Sequence, residues 1–428
     1  MHNKKVLIIT YYWPPAGGPG VQRWLKFVKY LPEFNIDPIV FIPENPNYPI
    51  IDKSLISEVS EETTIIRYPI REPYRFARLF SKKSSKTISK GVISEEKKQS
   101  FIEKMMLFVR GNFFIPDARV GWVKPSVTFL LDYIELENIE TIVTTGPPHS
   151  LHLIGLRLKE KLGVKIKWLA DFRDPWTTIG YHKQLKLTSV SKAKHKALET
   201  QVLNTADQIL VTSFTTKKEF QELTNKTIEV ITNGYDDEKF IESKIDSKFT
   251  ISHIGSLLSK RNPEILWQVL RELIKHENGF SKDFQLNFVG FVSDHVLECI
   301  RKYKLNTHTK NRGYVSHEKA IGYQKKSQIL LLIEIDSEET KCIVPGKLFE
   351  YMNSNRPIIS IGPNDSDVKK IIKETNTGQY FNYNDYESLK KTILDYYKAF
   401  QNNNLQSQPI GLQKYHRKAL TKSLSNLL

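Results

Sequence analysis

An α/β fold with two doubly wound domains is predicted by the alternation of apolar strands and amphipathic helices along almost the whole chain. The 428 residues are enough for two domains of about 200 residues each. The alternation stops at a polar, charged stretch over 235–248 and restarts at Phe249. Each half opens with a strand and a glycine-containing loop before a helix. We therefore expect parallel strands with helices on both faces of each sheet.

The elements of the first half are predicted from short apolar runs and from helical spacing. A first helix is indicated by apolar residues three or four positions apart, namely Val21, Trp24, Leu25, Val28 and Leu31. A second short helix has one apolar face, formed by Phe101, Ile102, Met105, Phe108 and Val109. The predicted strands of this half are 6–10, 38–42, 140–145, 165–171, 207–212 and 227–232.

The second half repeats the same architecture. Its predicted strands are 249–254, 285–289, 328–333 and 357–361. Helices are predicted over 385–400 and 412–428, on either side of a polar stretch at 401–409. Ligands bind at the carboxyl ends of parallel strands, so two such domains facing each other would hold a substrate in the cleft between them.

Composition excludes several classes of protein. Charged residues make up 26% of the chain and hydrophobic residues 40%, which is typical of a soluble globular protein. The sequence has neither a run of about 18 apolar residues for a membrane span nor the pattern of a signal peptide. The two cysteines, Cys299 and Cys342, are too few for a disulfide framework, and the natural compartment is a reducing cytosol.

The net charge of +16 fits nucleic acid, an anionic membrane or a phosphorylated substrate. Between Arg67 and Arg110, twelve lysines and arginines face four glutamates, so this segment contains half of the net charge. Combined with the apolar helix face, the 67–110 segment indicates a peripheral contact with an anionic membrane surface. The alternative is a solvated, lysine-rich surface.

Three glycines and three prolines lie between the first strand and the first helix, in the sequence Trp-Pro-Pro-Ala-Gly-Gly-Pro-Gly. Gly17, Gly18 and Gly20 would let the backbone approach a ligand closely, and the helix start that follows favours phosphate. The loop is neither a dinucleotide-binding fingerprint nor a P-loop. The alternative is a plain tight turn.

Polar residues follow two strands of the first half. His149 lies in Thr-Gly-Pro-Pro-His-Ser, near a helix start whose dipole would keep the ring neutral. Asp171 and Asp174 flank an arginine in Asp-Phe-Arg-Asp-Pro-Trp. We expect these residues to contact an acceptor hydroxyl or a sugar. The alternatives are a structural histidine and a self-satisfied salt-bridge cluster.

Two segments of the second half favour a nucleotide-linked ligand. Lys260 and Arg261 precede a helix in the loop that begins at Gly255, where cations suit a diphosphate. The segment Pro345-Gly346-Lys347 opens a helix that also carries Glu350. A helix start and a cation favour phosphate, and the carboxylate can accept hydrogen bonds from ribose hydroxyls. The alternatives are a solvated cation pair and a surface lysine–glutamate pair.

No motif for a metal, a catalytic serine or an RNA-binding module is present in the sequence. We predict that the protein uses neither a metal nor a cofactor and does not bind nucleic acid.

Taken together, these motifs resemble those of bacterial family-4 glycosyltransferases of the GT-B fold. The resemblance covers essentially the whole chain and rests on the order of five motifs: the glycine loop, Thr-Gly-Pro-Pro-His-Ser, Asp-Phe-Arg-Asp-Pro-Trp, Ile-Thr-Asn-Gly-Tyr-Asp and Pro-Gly-Lys-Leu-Phe-Glu-Tyr. It implies two facing Rossmann-like domains: an acceptor-side domain over 1–235 with a basic insertion at about 67–118, and a donor domain over 236–405. A C-terminal helix over 406–428 would cross back to the first domain.

The resemblance also implies functional roles. It implies a retaining transfer from a nucleotide sugar to a glycan or lipid-linked acceptor in polysaccharide or lipopolysaccharide assembly, in the bacterial cytoplasm or at the inner face of the plasma membrane. The implied catalytic residues are His149, Asp171, Asp174 and Glu350. The implied donor-binding residues are Gly17, Gly18, Gly20, Asn233, Gly234, Gly255, Lys260, Arg261, Pro345, Gly346, Lys347 and Glu350.

The chain departs from the family pattern at two positions. Cys342 stands where the family has a first glutamate that contacts the donor sugar, and Ser256 stands where many members have an arginine. Lys260 and Arg261 then remain as the phosphate ligands. Two alternative functions are a nucleotide-sugar epimerase on the same fold and a non-enzymatic basic binding protein.

Overall fold

The computed structural model describes residues 3–72, 101–180, 182, 185–237 and 244–428. The chain forms two compact units, Met1–Asn233 with Arg417–Leu428 and Gly234–His416. Most of the predicted basic segment, residues 73–100, lies outside the described residues. Within the described ranges, no helix is both long and apolar enough to cross a membrane.

The first unit contains a seven-stranded parallel sheet, and the predicted α/β architecture is confirmed. The strand order is β3-β2-β1-β4-β5-β6-β7. The strands are β1 (Lys4–Ile9), β2 (Ile36–Pro43), β3 (Thr64–Tyr68), β4 (Thr141–Gly146), β5 (Lys167–Phe172), β6 (Gln208–Val211) and β7 (Ile228–Val230). The helices are α1 (Pro19–Tyr30), α2 (Phe101–Phe113), α3 (Val120–Leu136), α4 (Ser150–Leu162), α5 (Ser189–Thr205) and α6 (Phe214–Gln221).

Both faces of this sheet are buried, because side chains alternate along each strand. In β1, Leu7 and Ile9 pack with α3 and α4 on one face. Val6 and Ile8 pack with α1 on the other face. The near-continuous apolar run of β1 is the pattern expected for a central parallel strand.

The second unit contains a six-stranded parallel sheet with the strand order β10-β9-β8-β11-β12-β13. Its strands are β8 (Phe249–Ile254), β9 (Phe284–Val289), β10 (Thr309–Asn311), β11 (Ile329–Ile333), β12 (Ile358–Ile361) and β13 (Gly378–Phe381). Its helices are α7 (Glu264–His276), α8 (Phe280–Asp283), α9 (Asp294–Lys302), α10 (His317–Lys326), α11 (Gly346–Asn353), α12 (Asp367–Thr375) and α13 (Tyr386–Gln401).

The last helix, α14 (Arg417–Ser425), belongs to the first unit. Leu420, Leu424 and Leu428 join the core that contains α1. Residues 406–416 lie in the second unit.

Each sheet has a point at which the strand order reverses, between β1 and β4 in the first unit and between β8 and β11 in the second. In open parallel sheets, ligands bind in the crevice at the carboxyl ends of the strands beside such a point. The loops after β1, β4 and β5 and those after β8 and β11 are therefore where site residues are expected.

Candidate functional site

The glycine loop between β1 and α1 is shaped by close approaches within the first unit. Gly18 has a φ of 92°, which favours glycine, and no side chain caps the start of α1. A Cβ atom at Gly20 would lie 2.7 Å from Nη1 of Arg173, and one at Gly17 would lie 2.9 Å from Cγ2 of Ile50. Backbone conformation at Gly18 and close approaches at Gly17 and Gly20 therefore favour glycine in this loop, while the start of α1 keeps the character of an anion site.

Asp171, at the end of β5, is fully buried inside a network of hydrogen bonds. Its carboxylate accepts from the Arg23 guanidinium at 2.9 Å, from Nε1 of Trp24 at 2.7 Å and from Oγ1 of Thr145 at 2.8 Å. Burial alone would raise the pKa of Asp171, but the Arg23 charge and these hydrogen bonds outweigh burial and lower it. The geometry favours a positioning role for Asp171, and its catalytic role stays a prediction.

The other two charged residues of the Asp-Phe-Arg-Asp motif, Arg173 and Asp174, lie in different surroundings. Arg173 donates to the carbonyl oxygens of Gly20 at 2.6 Å and Gly146 at 3.3 Å, and also to that of Pro147. Asp174 is partly exposed and forms no hydrogen bond or ion pair with the part of the chain that the structure describes. Burial raises the pKa of Asp174, against the opposing charge of Arg173. Asp174 is thus the carboxylate of this motif that a ligand could reach.

His149 immediately precedes α4 and is buried, with 4% of its surface exposed. Its ring stacks on the Trp176 indole, with centroids 5.0 Å apart and 3° between the planes. Neither ring nitrogen has a hydrogen-bond partner among the described residues. Burial, followed by the neighbouring His152, lowers the pKa of His149 well below its ordinary value. The ring is therefore neutral, with one nitrogen that donates and one that accepts, but both are buried, so contact with a ligand hydroxyl would require the surrounding residues to move.

Two residues of α5 form hydrogen bonds with Trp176, on which His149 stacks, and the sequence analysis identified neither of them. Nε1 of Trp176 donates to Nδ1 of His195 at 3.1 Å, and its backbone N–H donates to Oε1 of Glu199 at 3.2 Å. Burial lowers the pKa of His195 and raises that of Glu199. The available signal was the spacing of His195 and Glu199, which are four residues apart in a basic helix and therefore lie on the same helix face.

Basic groups gather at the end of β8 in the second unit. The ammonium group of Lys347 donates to the carbonyl oxygen of Ile254 at 3.2 Å and lies 3.5 Å from Nε2 of His253. Gly255 has a φ of 116°, and a Cβ atom there would lie 3.2 Å from Nζ of Lys347. Burial, followed by the nearby charge of Arg261, lowers the pKa of Lys347 to about 7. These basic groups lie at the point where the strand order of this sheet reverses.

Helix α11 opens with Pro345 as its N-cap and Gly346 as its first residue, and no side chain caps it. Lys347 is the second residue of this helix, and a helix start without a side-chain cap suits a phosphate. Lys260, in the turn Ser259–Arg261, is exposed. Asn233 ends the first unit and Gly234 begins the second, and their donor-binding role stays a prediction.

Glu350 is held by two residues of α10 that sequence reasoning did not identify. Its Oε1 lies 3.2 Å from Nε2 of His317, and its Oε2 accepts from Nε2 of Gln324 at 2.9 Å. The side chain keeps 24% of its surface exposed. Its carboxylate is therefore oriented by protein contacts and still reachable by ligand hydroxyls.

A buried carboxyl group lies at the end of β11, where the sequence analysis placed no site residue. Glu334 is 4% exposed and accepts from Oγ of Ser366 and from the Tyr380 hydroxyl, both at 2.8 Å. Burial raises its pKa to about 7, against the hydrogen bonds and the charge of Arg261. Cys342 is also buried, and its thiol donates to the carbonyl oxygen of Glu339 at 3.8 Å. The position of Glu334 directly after the apolar strand β11 is the signal by which the sequence could have identified it.

The predicted residues thus form two groups, each at the carboxyl edge of one sheet. His149, Asp174 and the glycine loop lie in the first unit, and Lys347 and Glu350 lie in the second. Across the described ranges, no group of three or more histidine, cysteine or acidic side chains is placed to hold a metal ion.

The two parallel α/β units define a GT-B fold, and comparison with solved structures agrees. Sucrose-phosphate synthase from Thermosynechococcus elongatus matches with a TM-score of 0.60 and 13% identity, over 99% of this chain and 98% of that one. WaaG, a glycosyltransferase involved in lipopolysaccharide biosynthesis, matches with a TM-score of 0.55 and 10% identity, over 99% of both chains. A protein assigned as a UDP-N-acetylglucosamine 2-epimerase from Listeria monocytogenes matches with a TM-score of 0.54 and 12% identity, over 99% of this chain and 95% of that one.

No protein-family model and no curated protein matches the chain. At these identities, the structural likeness concerns the fold alone.

Proposed function

We propose that this protein is a glycosyltransferase that moves a sugar from a nucleotide-sugar donor to a hydroxyl group of a glycan or lipid-linked acceptor. The observation that carries the proposal is the basic cluster of the second unit. There, Lys347 lies in the first turn of α11, whose start no side chain caps, and contacts the last carbonyl oxygen of β8. Arg261 lies in the turn that follows the same strand. A helix start with two cations supports binding of a diphosphate.

The same cluster has the charge needed for the departure of a nucleoside diphosphate. Negative charge grows on the leaving oxygen as the glycosidic bond breaks, and fixed cations and N–H dipoles stabilise it without reorganisation. Lys347 and Arg261 would provide this stabilisation without a metal. In our proposal the transfer retains the configuration of the anomeric carbon by a front-face route, so no protein nucleophile is assigned.

Glu350 would bind the ribose of the donor. His317 and Gln324 orient its carboxylate at 3.2 and 2.9 Å, which leaves lone pairs for two vicinal hydroxyl groups. Cys342 provides no carboxylate, and Glu334 is already engaged by Ser366 and Tyr380. We therefore assign recognition of the donor sugar to neither of them.

The acceptor would bind at the first unit. His149 has two ring nitrogens without a partner in the described chain, and Asp174 has a carboxylate likewise without a partner. Both follow strands at the carboxyl edge of the sheet, where hydroxyl groups of an acceptor would find a donor and two acceptors. Asp171 would hold the surrounding loops rather than the ligand.

The finer assignment is a family-4-like enzyme of bacterial capsule or lipopolysaccharide synthesis, acting in the cytoplasm at the inner face of the plasma membrane. The order of the five sequence motifs supports it. The relatedness in fold to WaaG is consistent with it.

Calorimetric titration of the full chain with UDP-, GDP-, ADP- and dTDP-sugars tests the donor site. We expect one nucleotide to bind selectively, and Glu350→Gln to weaken that binding roughly 10- to 100-fold, because a hydrogen bond to a charged group is lost. The matched control is Glu298→Gln, an exposed glutamate on α9, which should bind like the wild type.

Three outcomes separate this proposal from the alternatives. If no nucleotide binds, or if Glu350→Gln binds normally, the donor site is misassigned. Conversion of the bound sugar without an acceptor would identify an epimerase instead. Salt-dependent binding of nucleic acid that does not respond to Glu350→Gln would identify a basic binding protein.

A further inference from the structure

Helix α2 exposes an apolar face that the rest of the described chain leaves uncovered. Phe101 and Phe113 are 82% and 73% exposed, and the exposed residues between them are Met105, Phe108 and Val109. The opposite side of the helix is packed, because Leu107 is buried and a Cβ atom at Gly111 would lie 2.7 Å from the Leu187 side chain. Exposed apolar side chains at this density mark an interaction site.

The segment on which α2 packs presents positive charge. Asn112 donates to the carbonyl oxygen of Lys186 at 3.3 Å and accepts from the backbone N–H of Thr188 at 2.8 Å. Thr188 is the N-cap of α5, whose first two turns expose lysines. We call the following set the α2–α5 surface: Phe101, Met105, Phe108, Val109 and Phe113 with Lys186, Val190, Lys192, Lys194 and Lys196.

Acidic residues are few in these segments, although Glu103 lies in α2 between Phe101 and Met105. The stretches 104–114 and 185–198 contain no acidic residue. Glu199, the only acid in α5, is buried and accepts hydrogen bonds from the backbone of Trp176 and Thr177. Exposed apolar side chains on α2 together with exposed lysines on α5 are complementary to a surface that is apolar inside and anionic outside.

Helix α5 links this surface to the acceptor side of the first unit. Its lysines at 192, 194 and 196 are exposed, whereas His195 is buried and bonded to Trp176, which stacks on His149. The same helix therefore has exposed lysines, with Lys192 and Lys196 on one side and Lys194 on another, and a buried histidine that supports the candidate acceptor site.

We propose that the α2–α5 surface docks the protein onto an anionic lipid bilayer. The apolar residues of α2 enter the boundary between headgroups and acyl chains, and the lysines bind the anionic headgroups. An acceptor carried on a lipid would then meet the protein beside His149. That last link rests on the proposed function, whereas docking itself does not.

Sedimentation of the full chain with vesicles tests docking. One set contains phosphatidylcholine alone and the other contains phosphatidylcholine with phosphatidylglycerol. We expect binding to the anionic set only, reduced about 100-fold in Lys192→Gln/Lys194→Gln/Lys196→Gln, since each lysine near an anionic surface contributes about fivefold. Phe101→Ser/Phe113→Ser should lose at least tenfold; both side chains are exposed, so folding should not depend on them.

Two matched control variants remove exposed lysines or exposed apolar side chains that lie outside the α2–α5 surface. Lys275→Gln/Lys369→Gln/Lys373→Gln removes three exposed lysines of the second unit, and Leu136→Ser/Val164→Ser removes two exposed apolar side chains of the first. Both should bind vesicles like the wild type. Calorimetric binding of the nucleotide sugar should be unchanged in all four variants, so loss of docking is distinguishable from loss of the donor site.

Three results would overturn the proposal. The first is equal binding of the wild type and the lysine variant to anionic vesicles. The second is a dimer in lipid-free buffer that Phe101→Ser/Phe113→Ser converts to a monomer, which would make the surface a subunit interface. The third is loss of nucleic-acid binding, instead of vesicle binding, in the lysine variant.

Discussion

The guanidinium of Arg23 and the carboxylate of Asp171 form an ion pair at 2.9 Å, with 1% and 0% of their side chains exposed. The two residues are 148 positions apart in the sequence. Arg23 also donates to the carbonyl oxygen of Ile231 at 2.7 Å. This single pair thus connects α1, the end of β5 and the segment after β7.

Removing one member of this pair should destabilise the first unit severely. Arg23→Leu leaves a buried carboxylate without its cation, and we expect a loss of about 3–5 kcal/mol in the free energy of unfolding at pH 7. Urea denaturation followed by tryptophan fluorescence measures it. Glu137→Gln, which breaks the more exposed pair with Lys5, is the control and should cost less than about 1 kcal/mol. Equal effects of the two substitutions would contradict the assignment.

The pH dependence of stability should reveal the same carboxylate. The pKa of Asp171 is lowered in the folded chain, so its contribution is present above the unfolded pKa of about 4 and is lost as the pH falls through the folded pKa. In Asp171→Asn this loss at acid pH should be smaller than in the wild type. Melting curves between pH 2 and 7 provide the comparison, and an unchanged acid limb would argue against the ion pair.

Donor binding should take up a proton at alkaline pH. The pKa of Lys347 is about 7, and a bound diphosphate would raise it, so affinity should fall as the pH rises above about 7. Calorimetry in two buffers of different ionisation enthalpy measures the proton uptake. Lys347→Met should bind at least tenfold more weakly and lose this uptake. Its persistence in the variant would assign the proton to another group.

Glu334 should destabilise the second unit as the pH rises. Its folded pKa, about 7, is raised above its ordinary value, so its stabilisation is full below the unfolded pKa of about 4.3 and is lost as the pH rises through about 7. We expect Glu334→Gln to gain about 3 kcal/mol over the wild type between pH 4 and pH 8, since each pKa unit corresponds to about 1.4 kcal/mol. Thermal melting at several pH values measures this, with Glu298→Gln as the exposed control. Parallel curves for wild type and Glu334→Gln would show that burial does not shift this group.

His149→Phe should separate function from structure. The phenyl ring preserves the stacking on Trp176 and removes two nitrogens that have no partner in the described chain. We expect a change in melting temperature of only a few degrees, together with a roughly 10- to 100-fold lower kcat/KM for the acceptor. Donor affinity, measured by calorimetry, should be unchanged. Normal transfer by the folded variant would leave His149 without the proposed contact.

Periodicity was enough to predict the parallel sheets, because central strands bury both faces and read as apolar runs. Strands β3, β10 and β13 escaped prediction because they lie towards the sheet edges, and β10 consists of Thr-Lys-Asn. The loops that carry His149, Asp174 and Lys347 were identified because turn residues mark the ends of strands. Arg23, His195 and Gln324 were not identified, since they lie on other helices. Only the tertiary fold brings them close to Asp171, Trp176 and Glu350, with which they form hydrogen bonds.

The protonation state of His149 and the contacts of the Asp-Phe-Arg-Asp motif depend on burial, which the sequence does not reveal. The neutral state of His149, predicted from a helix dipole, is caused mainly by burial in the structure. Arg173, which lies between Asp171 and Asp174 in the sequence, donates its hydrogen bonds to backbone carbonyl oxygens. Solvent exposure decides which polar residues of one motif hold the fold and which remain for a ligand.

The C-terminal helix sets an order for biosynthesis. Leu420, Leu424 and Leu428 complete a core that also contains Val6 and Ile8 of the first strand. These leucines follow Gly234–His416 in the chain, so a ribosome makes them only after the whole of the second unit. The second unit is therefore free to fold before residues 417–428 are made, whereas the core of the first unit stays open on that side until they are.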